Sequence, residues 1–366
     1  MIPSDKENND FRFQLNDSLK IFFKDAVKIS IRHPSQALFF LKTLRWQKKA
    51  SKTRENFEQQ NVHVPPIMIF SVTQQCNLNC LGCYAKATRQ GQKKHELSEQ
   101  QLQHIMQQAH DLGISFVVVA GGEPLMRQDL FPITKQFPDM IFTIFTNGLL
   151  IDEEKLHLMR KQKNIVPLIS LEGCEEETDA RRGQGIYSRL TRIMETVRKH
   201  DIFFGTSLTL TSANFDVILS ESFIQTLYDA GCKFFLFLEY NPLTPGTEHW
   251  MVTPEQRKRT MDIIRRFRTR WPALFVAVPG DEEEIGGCLS AGRGFVHVSA
   301  SGDLEPCPFA PYSDVNLITT PFKNALQSEF LRKIRENHDI LHETGGSCAL
   351  WEKRDWVQSL LHTTKK

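Results

Sequence analysis

Residues 67–84 read IMIFSVTQQCNLNCLGCY. From 67 to 72 every side chain but Ser71 is apolar, the texture of a parallel strand covered on both faces. Cys76, Cys80 and Cys83 follow at once in one short loop. Three thiolates this close can surround one metal centre. A structural zinc site wants four protein ligands, and no fourth Cys or His lies in this loop. A 4Fe-4S cluster held by three cysteines leaves one iron free to bind something else. The loop is therefore expected to carry iron and sulfide.

The texture of that strand repeats along the chain, at 116–120, 141–146, 167–171, 206–211 and 234–240. Helix signals fall between the runs. Ser98 with Gln101 forms a capping box ahead of Leu102, Ile105, Met106 and Ala109, and Gly113 closes that helix. Asp152, Thr253-Pro254 and Gly231 mark other ends in the same way. Strands alternating with helices imply right-handed crossovers and a parallel sheet. The expected fold class is α/β, a partial (β/α)6 TIM-like barrel over 65–278, open on one side to admit a large substrate. An N-terminal helical segment, 1–64, precedes it. From 279 to 366 glycines and prolines crowd around Cys288 and Cys307, which suggests a small loop-rich module organised by metal.

The whole chain of 366 residues has 45 basic against 43 acidic side chains, net +2, so no nucleic-acid partner is expected. The charge is uneven. Residues 18–54 hold ten Lys or Arg against Asp25 alone, with apolar side chains at helical spacing and a break at Pro34, a basic amphipathic hairpin. Two readings of it stand. In one, Phe22, Phe23, Leu38, Leu41 and Leu44, with Trp46 nearby, form a peripheral membrane contact; in the other the stripe packs on the barrel and the lysines form its solvated face. No run is long and apolar enough to span a bilayer, and Met1 to Lys6 lack the layout of a secretory signal. The expected location is a reducing cytoplasm, with membrane association through 18–54 as the added alternative.

Four motifs in order resemble the radical S-adenosylmethionine (SAM) superfamily: the cysteine triplet, Gly121-Gly122-Glu123-Pro124, Thr146-Asn147-Gly148 and Ser170-Leu171-Glu172-Gly173. Each sits at the C-terminal end of an expected strand, where barrel sites are built. Read singly they are ordinary: a strand-helix turn, a solvated loop acid. The resemblance covers roughly residues 65–245. It implies that the two glycines let the backbone approach SAM, that the Glu123 side accepts the SAM amino group, and that Ser170 and Glu172 belong to a ribose-contacting element. Asp179, Arg182, Gly183 and Gly185 also look familial, with Arg182 as partner of the methionyl carboxylate, which suits its planar fork. The implied chemistry is one-electron cleavage of SAM to a 5′-deoxyadenosyl radical that removes a hydrogen atom from an unidentified substrate. That requires a one-electron donor such as flavodoxin or ferredoxin. No catalytic acid or base is singled out, since the cofactors carry the difficult chemistry. The competing class is a non-catalytic, metal-stabilised binding protein on a degenerate barrel.

Cys288, Cys307 and Cys348 remain, with Gly302 five positions before Cys307. This spacing resembles the start of the auxiliary-cluster region called SPASM, or its shorter twitch form. Three cysteines would hold one auxiliary iron-sulfur cluster, with the fourth position left to His338, His342, another side chain or substrate. The alternative is a set of buried structural thiols. Cys174 and Cys232 are read as core residues.

Overall fold

The computed structural model describes residues 5–31, 34–88, 95–341 and 348–363. Two long helices, α1 (Asp5–Ile29) and α2 (Pro34–Glu58), lead into strand β1 (Ile67–Thr73). Six more parallel strands follow: β2 (Phe116–Gly121), β3 (Ile141–Thr146), β4 (Ile165–Leu171), β5 (Gly205–Leu210), β6 (Phe234–Glu239) and β7 (Leu274–Val278). They stand side by side in chain order. On the far side of β1 lie β8 (Phe295–Val298), parallel to it, and the short β9 (Leu304–Glu305), antiparallel to β8. The sheet thus ends at β7 and β9, a partial barrel. Capping behaves as the residues foretell: Ser98 and Gln101 form a reciprocal box at helix Glu99–Asp111, as do Thr253 and Gln256 at helix Pro254–Arg270.

Two parallel strands, β7 and β8, join the six expected units. Helix Pro254–Arg270 and β7 form a further unit, and β8 enters the same sheet from beyond Pro279. Both strands are only four or five residues long and are flanked by proline or glycine, so the turn residues around them dominate a reading by pattern.

The helical hairpin resolves into two unlike halves. Phe23 and Ala26 of α1 are fully buried, and Phe22 sets its ring against Phe116 and Phe234 at 6.3 and 5.4 Å, the first residues of β2 and β6. Toward its start, Phe11 and Leu15 pack with Leu289 and Phe295. Helix α1 therefore lies across the N-terminal ends of the strands, from β8 to β6. Each fully buried phenylalanine there contributes about 1.5–3 kcal/mol. Helix α2 turns a largely polar face inward: Gln36, Thr43, Gln47 and Arg54 are buried beside Phe40. Arg54 donates to the Gly113 carbonyl at 2.6 Å and to Asn16 at 2.7 Å, and Ser115 donates to Gln47 at 2.7 Å. Leu38 and Leu41, on the outer face, stay about half exposed at 54% and 49%. The barrel has taken Phe22 and Phe23, and the two leucines remain outside among Lys42, Arg45 and Lys48. Among the described residues no helix is long and apolar enough to cross a membrane.

Candidate functional site

The cysteine loop leaves β1 at Thr73 and is tied to the end of β2 by backbone bonds. Gly122 N donates to Thr73 O and Glu123 N to Gln75 O, each at 2.8 Å. A Cβ on Gly122 would stand 2.0 Å from Gln75 O, and one on Gly121, at φ +126°, would stand 2.3 Å from Thr73 O. The glycines therefore let two backbone segments meet, and this sets where the thiol loop starts. Farther along, Leu81 N donates to Arg181 O at 2.9 Å, and Gly82 fits under Tyr240 and Trp250, where any Cβ would stand 2.6 Å from both. Cys76 is exposed, Cys80 and Cys83 half-buried. Burial pushes the Cys80 thiol up, against the pull of the Arg182 guanidinium.

Glu123 is 1% exposed. Its carboxylate accepts Leu125 N at 3.0 Å, the Thr146 hydroxyl at 2.7 Å and Asn147 N at 2.7 Å. Loss of water raises its pKa, and those three donors oppose the rise. The side chain thus joins the ends of β2 and β3, with Pro124 buried in the turn that follows. Asn147, held in this way, donates to Asn77 at 2.7 Å beside Cys76. Ser170 shares a hydroxyl bond with Ser207 at 2.8 Å on the cavity wall.

The expected role of Glu172 differs in place. It is buried off the cavity wall and is clasped by two guanidinium groups, Arg181 through Nη1 and Arg182 through Nε and Nη2 at 2.9 and 2.6 Å. The backbone carbonyl of Glu172 also accepts Asn214 Nδ2 at 2.8 Å. Arg182, which lines the cavity, is thus held by an internal carboxylate. Arg181 was not foreseen, nor was the ion pair; two adjacent arginines after an acidic helix start are the only trace of it in sequence. Asp179 accepts the backbone N–H of Gly185 and of Tyr187, at 2.5 and 2.8 Å, and so shapes the turn behind them.

The second cysteine set meets the first. Cys288, Cys307 and Cys348 line the same cavity as Cys76, Cys80 and Cys83. Ala291 N donates to Pro306 O at 3.0 Å, joining the Cys288 and Cys307 loops, while Cys348 N donates to Asn241 at 3.2 Å. Interaction with Cys348, then burial, drives the Cys307 thiol up, and the same interaction draws the Cys348 thiol down. The Cys288 thiol donates to Ser290 at 3.1 Å; burial first, then the nearby Glu282, pushes it upward. Glu282 was not foreseen either. It lies in the short helix Gly280–Glu284 and lines the cavity; burial, then the Cys348 sulfur, pushes its carboxyl up to about 8. His338 does not line this cavity, and His342 lies outside the described residues. Cys232 is buried as expected. Cys174 is exposed, a correction with a simple cause: it precedes helix Glu175–Arg182 at its N-cap, outside the apolar face.

Among the described residues no three His, Cys, Asp or Glu side chains converge as ligands of a single ion. A 4Fe-4S cluster is held instead at separate iron corners, one thiolate to each. The donor chemistry agrees: three thiols, no histidine, and open space beside them. That space is a cavity of about 990 Å³. Polar groups ring its cysteine end. The remainder is largely apolar, with walls that include Ile67, Val118, Phe145, Leu168 and Leu236 and a floor of Leu19 and Phe22 of α1.

The family model of the Radical SAM superfamily matches residues 70–216. Among curated proteins, the AdoMet-dependent heme synthase of Methanosarcina barkeri is 26% identical over 79% of this chain and 89% of its own length. Mycofactocin maturase MftC of Mycolicibacterium smegmatis is 26% identical over 81% of this chain and 77% of its own. Of solved structures, Streptococcus suis SuiB bound to precursor peptide SuiA superposes with a TM-score of 0.63 at 18% identity, over 81% of this chain and 72% of that one. Native anSMEcpe with bound AdoMet and a peptide gives 0.58 at 16%, over 82% and 99%. With the open parallel barrel and the cysteine loop at its mouth, these matches identify residues 70–216 as a radical SAM domain.

Proposed function

We propose that this enzyme binds a 4Fe-4S cluster on Cys76, Cys80 and Cys83 and SAM beside it, and oxidises or rearranges an organic substrate seated in the apolar part of the barrel. The observation that carries the reading is the shared cavity: the thiol loop and the ends of β2, β3 and β4 all open into it. When bound, the cluster and SAM supply reductive cleavage to methionine and a 5′-deoxyadenosyl radical. Gly121, Gly122, Thr146, Asn147, Ser170 and Arg182 line the wall that would hold SAM. Glu123 lines this wall too and fixes Thr146 and Asn147, while Pro124 and Glu172 lie one step behind it, Glu172 holding Arg182. The apolar walls exclude water and competing hydrogen donors. Cys76 and Leu81 reach the surface, which gives a one-electron donor of the flavodoxin or ferredoxin kind a place to approach.

A second cluster on Cys288, Cys307 and Cys348, in the manner of a SPASM or twitch region, belongs to the same proposal. The meeting of all six thiols in one cavity supports it. The named activities of the relatives, heme synthesis and peptide maturation, are both compatible with a large apolar chamber. Leu38 and Leu41 with the lysines around them keep a peripheral membrane contact open as a route for apolar substrates.

Anaerobically reconstituted protein, once reduced, should form 5′-deoxyadenosine from SAM. Replacing Cys76, Cys80 and Cys83 together by alanine should abolish that product. Zinc as the sole bound metal, with no product, would overturn the reading in favour of a metal-stabilised scaffold.

A further inference from the structure

The carboxylates that line the cavity are nearly all spoken for. Asp25 accepts from Lys28 at 2.8 Å; Glu123 has its three donors; Glu239 pairs with Arg257; Asp281 holds Arg268 at 2.7 Å and Ala277 N at 2.8 Å; Glu284 holds Arg265 at 2.7 Å. Glu282 is the exception. Among the described residues its carboxylate accepts no hydrogen bond and makes no ion pair, although it faces the interior of the cavity.

Glu282 is half-buried in the wall of the cavity that holds all three thiols, and a carboxylate so placed without a partner is suited to coordinate metal. Its surroundings favour that role. Glu282 and Asp281 sit on one short helix but serve different ends, Asp281 anchoring to Arg268 and the β7 backbone while Glu282 lines the cavity with the thiols. Gly287 N donates to Glu282 O at 2.8 Å, folding the chain directly from this residue into Cys288. Arg293 braces the same turn, donating to Gly287 O at 3.1 Å and Cys288 O at 3.2 Å. Cys288, Cys348 and the Arg293 guanidinium are the electrostatic neighbours of Glu282.

We infer that Glu282 is the fourth protein ligand of the auxiliary cluster, completing a three-thiolate, one-carboxylate set with Cys288, Cys307 and Cys348. The inference rests on the auxiliary-cluster reading above. A hard oxygen ligand on one iron would leave that corner distinguishable from the three thiolate corners.

The test uses the full chain with Cys76, Cys80 and Cys83 replaced by alanine, so that only the second cluster remains, compared with the same protein carrying Glu282→Ala or Glu282→Cys. Iron and sulfide content, and the electron paramagnetic resonance spectrum of the reduced cluster with and without cyanide, are measured. The parent should bind iron and give a spectrum that cyanide leaves unchanged. With Glu282→Ala the cluster should either acquire a new cyanide-dependent signal or be lost, and Glu282→Cys should restore a cluster that cyanide does not alter. An iron-free, folded parent overturns both the auxiliary cluster and the Glu282 assignment. An iron-bearing parent whose spectrum and cyanide response match those of Glu282→Ala overturns the assignment alone. So does a failure of Glu282→Cys to hold a cluster that Glu282→Ala has lost.

Discussion

The Thr146 hydroxyl at the end of β3 donates at 2.7 Å to Glu123 at the end of β2. Two strand ends that each touch the cofactor cavity are thus locked to one another by a single buried carboxylate. Replacing Glu123 with alanine would strand the Thr146 hydroxyl and the amides of Leu125 and Asn147. A loss of about 2–4 kcal/mol in unfolding free energy is expected, read by anaerobic chemical denaturation, together with weaker SAM binding in equilibrium dialysis.

Gly122 and Gly185 offer a paired comparison. Alanine at Gly122 forces a methyl group onto Gln75 O and should displace the thiol loop, lowering bound iron at the first site to near zero. Alanine at Gly185 meets nothing within 4 Å, so only its φ of +76° is penalised, by about 1–2 kcal/mol. Iron analysis of the two variants in the Cys288, Cys307, Cys348→Ala background separates the outcomes. Equal iron in both would refute the account of Gly122.

Glu172 carries two arginines at once. Glu172→Gln should cost about 3–5 kcal/mol, because two largely buried guanidinium groups lose their counter-charge. Arg181→Ala should cost less, since Arg182 keeps the carboxylate paired. A double-mutant cycle on Arg181 and Arg182 would read the coupling, and additive losses would contradict a shared acceptor.

Asp129 pairs with Arg127, which also donates to Val72 O at 3.1 Å and Leu97 O at 2.9 Å, bracing the end of β1. The arginine holds the Asp129 carboxyl below its ordinary value. Its contribution is therefore present above the unfolded-state pKa and is lost as pH falls through the folded one. Asp129→Asn should destabilise the cluster-free protein by about 1–2 kcal/mol near neutrality, and the difference should shrink as pH falls through the folded-state pKa, as followed by urea unfolding.

In α1, Phe23→Ala should cost about 3–5 kcal/mol because the ring is fully buried against the strand ends. In α2, Leu41→Ser, on the outer face, should stay within about 0.5 kcal/mol. Thermal unfolding of both variants checks the split. Cosedimentation with anionic vesicles asks whether Leu41 and its lysine neighbours do anything more.

The parts legible in sequence were those specified locally. A parallel strand buried on both faces announces itself by its run of apolar residues, and Cys76, Cys80 and Cys83 declare their chemistry by spacing within a few residues. Ser98 with Gln101 needs nothing beyond one helical turn. What could not be read depends on which surfaces meet. The stripe of α1 and α2 has the same pattern whether it covers a barrel or a lipid surface; only placement assigns Phe23 inward and Leu41 outward. The polar inner face of α2 is illegible for the same reason, because Gln47 and Arg54 gain partners at Ser115 and Gly113, far along the chain. Glu282 gives no signal as one of a run of acids, and only its unpaired position among the paired carboxylates of the cavity distinguishes it.

Strand β1 lies between β2 and β8, with Ile67 facing Phe116 on one side and Phe295 on the other. During synthesis, β1 must wait with one edge uncovered until almost the whole barrel has been made. An uncovered strand edge is a template for pairing with other chains. A fragment ended at Val278 would keep every residue of the first thiol loop, yet it would present β1 to its neighbours in solution. Such a fragment should aggregate, and the region after Val278 then serves as the guard of the edge on which the thiol loop hangs.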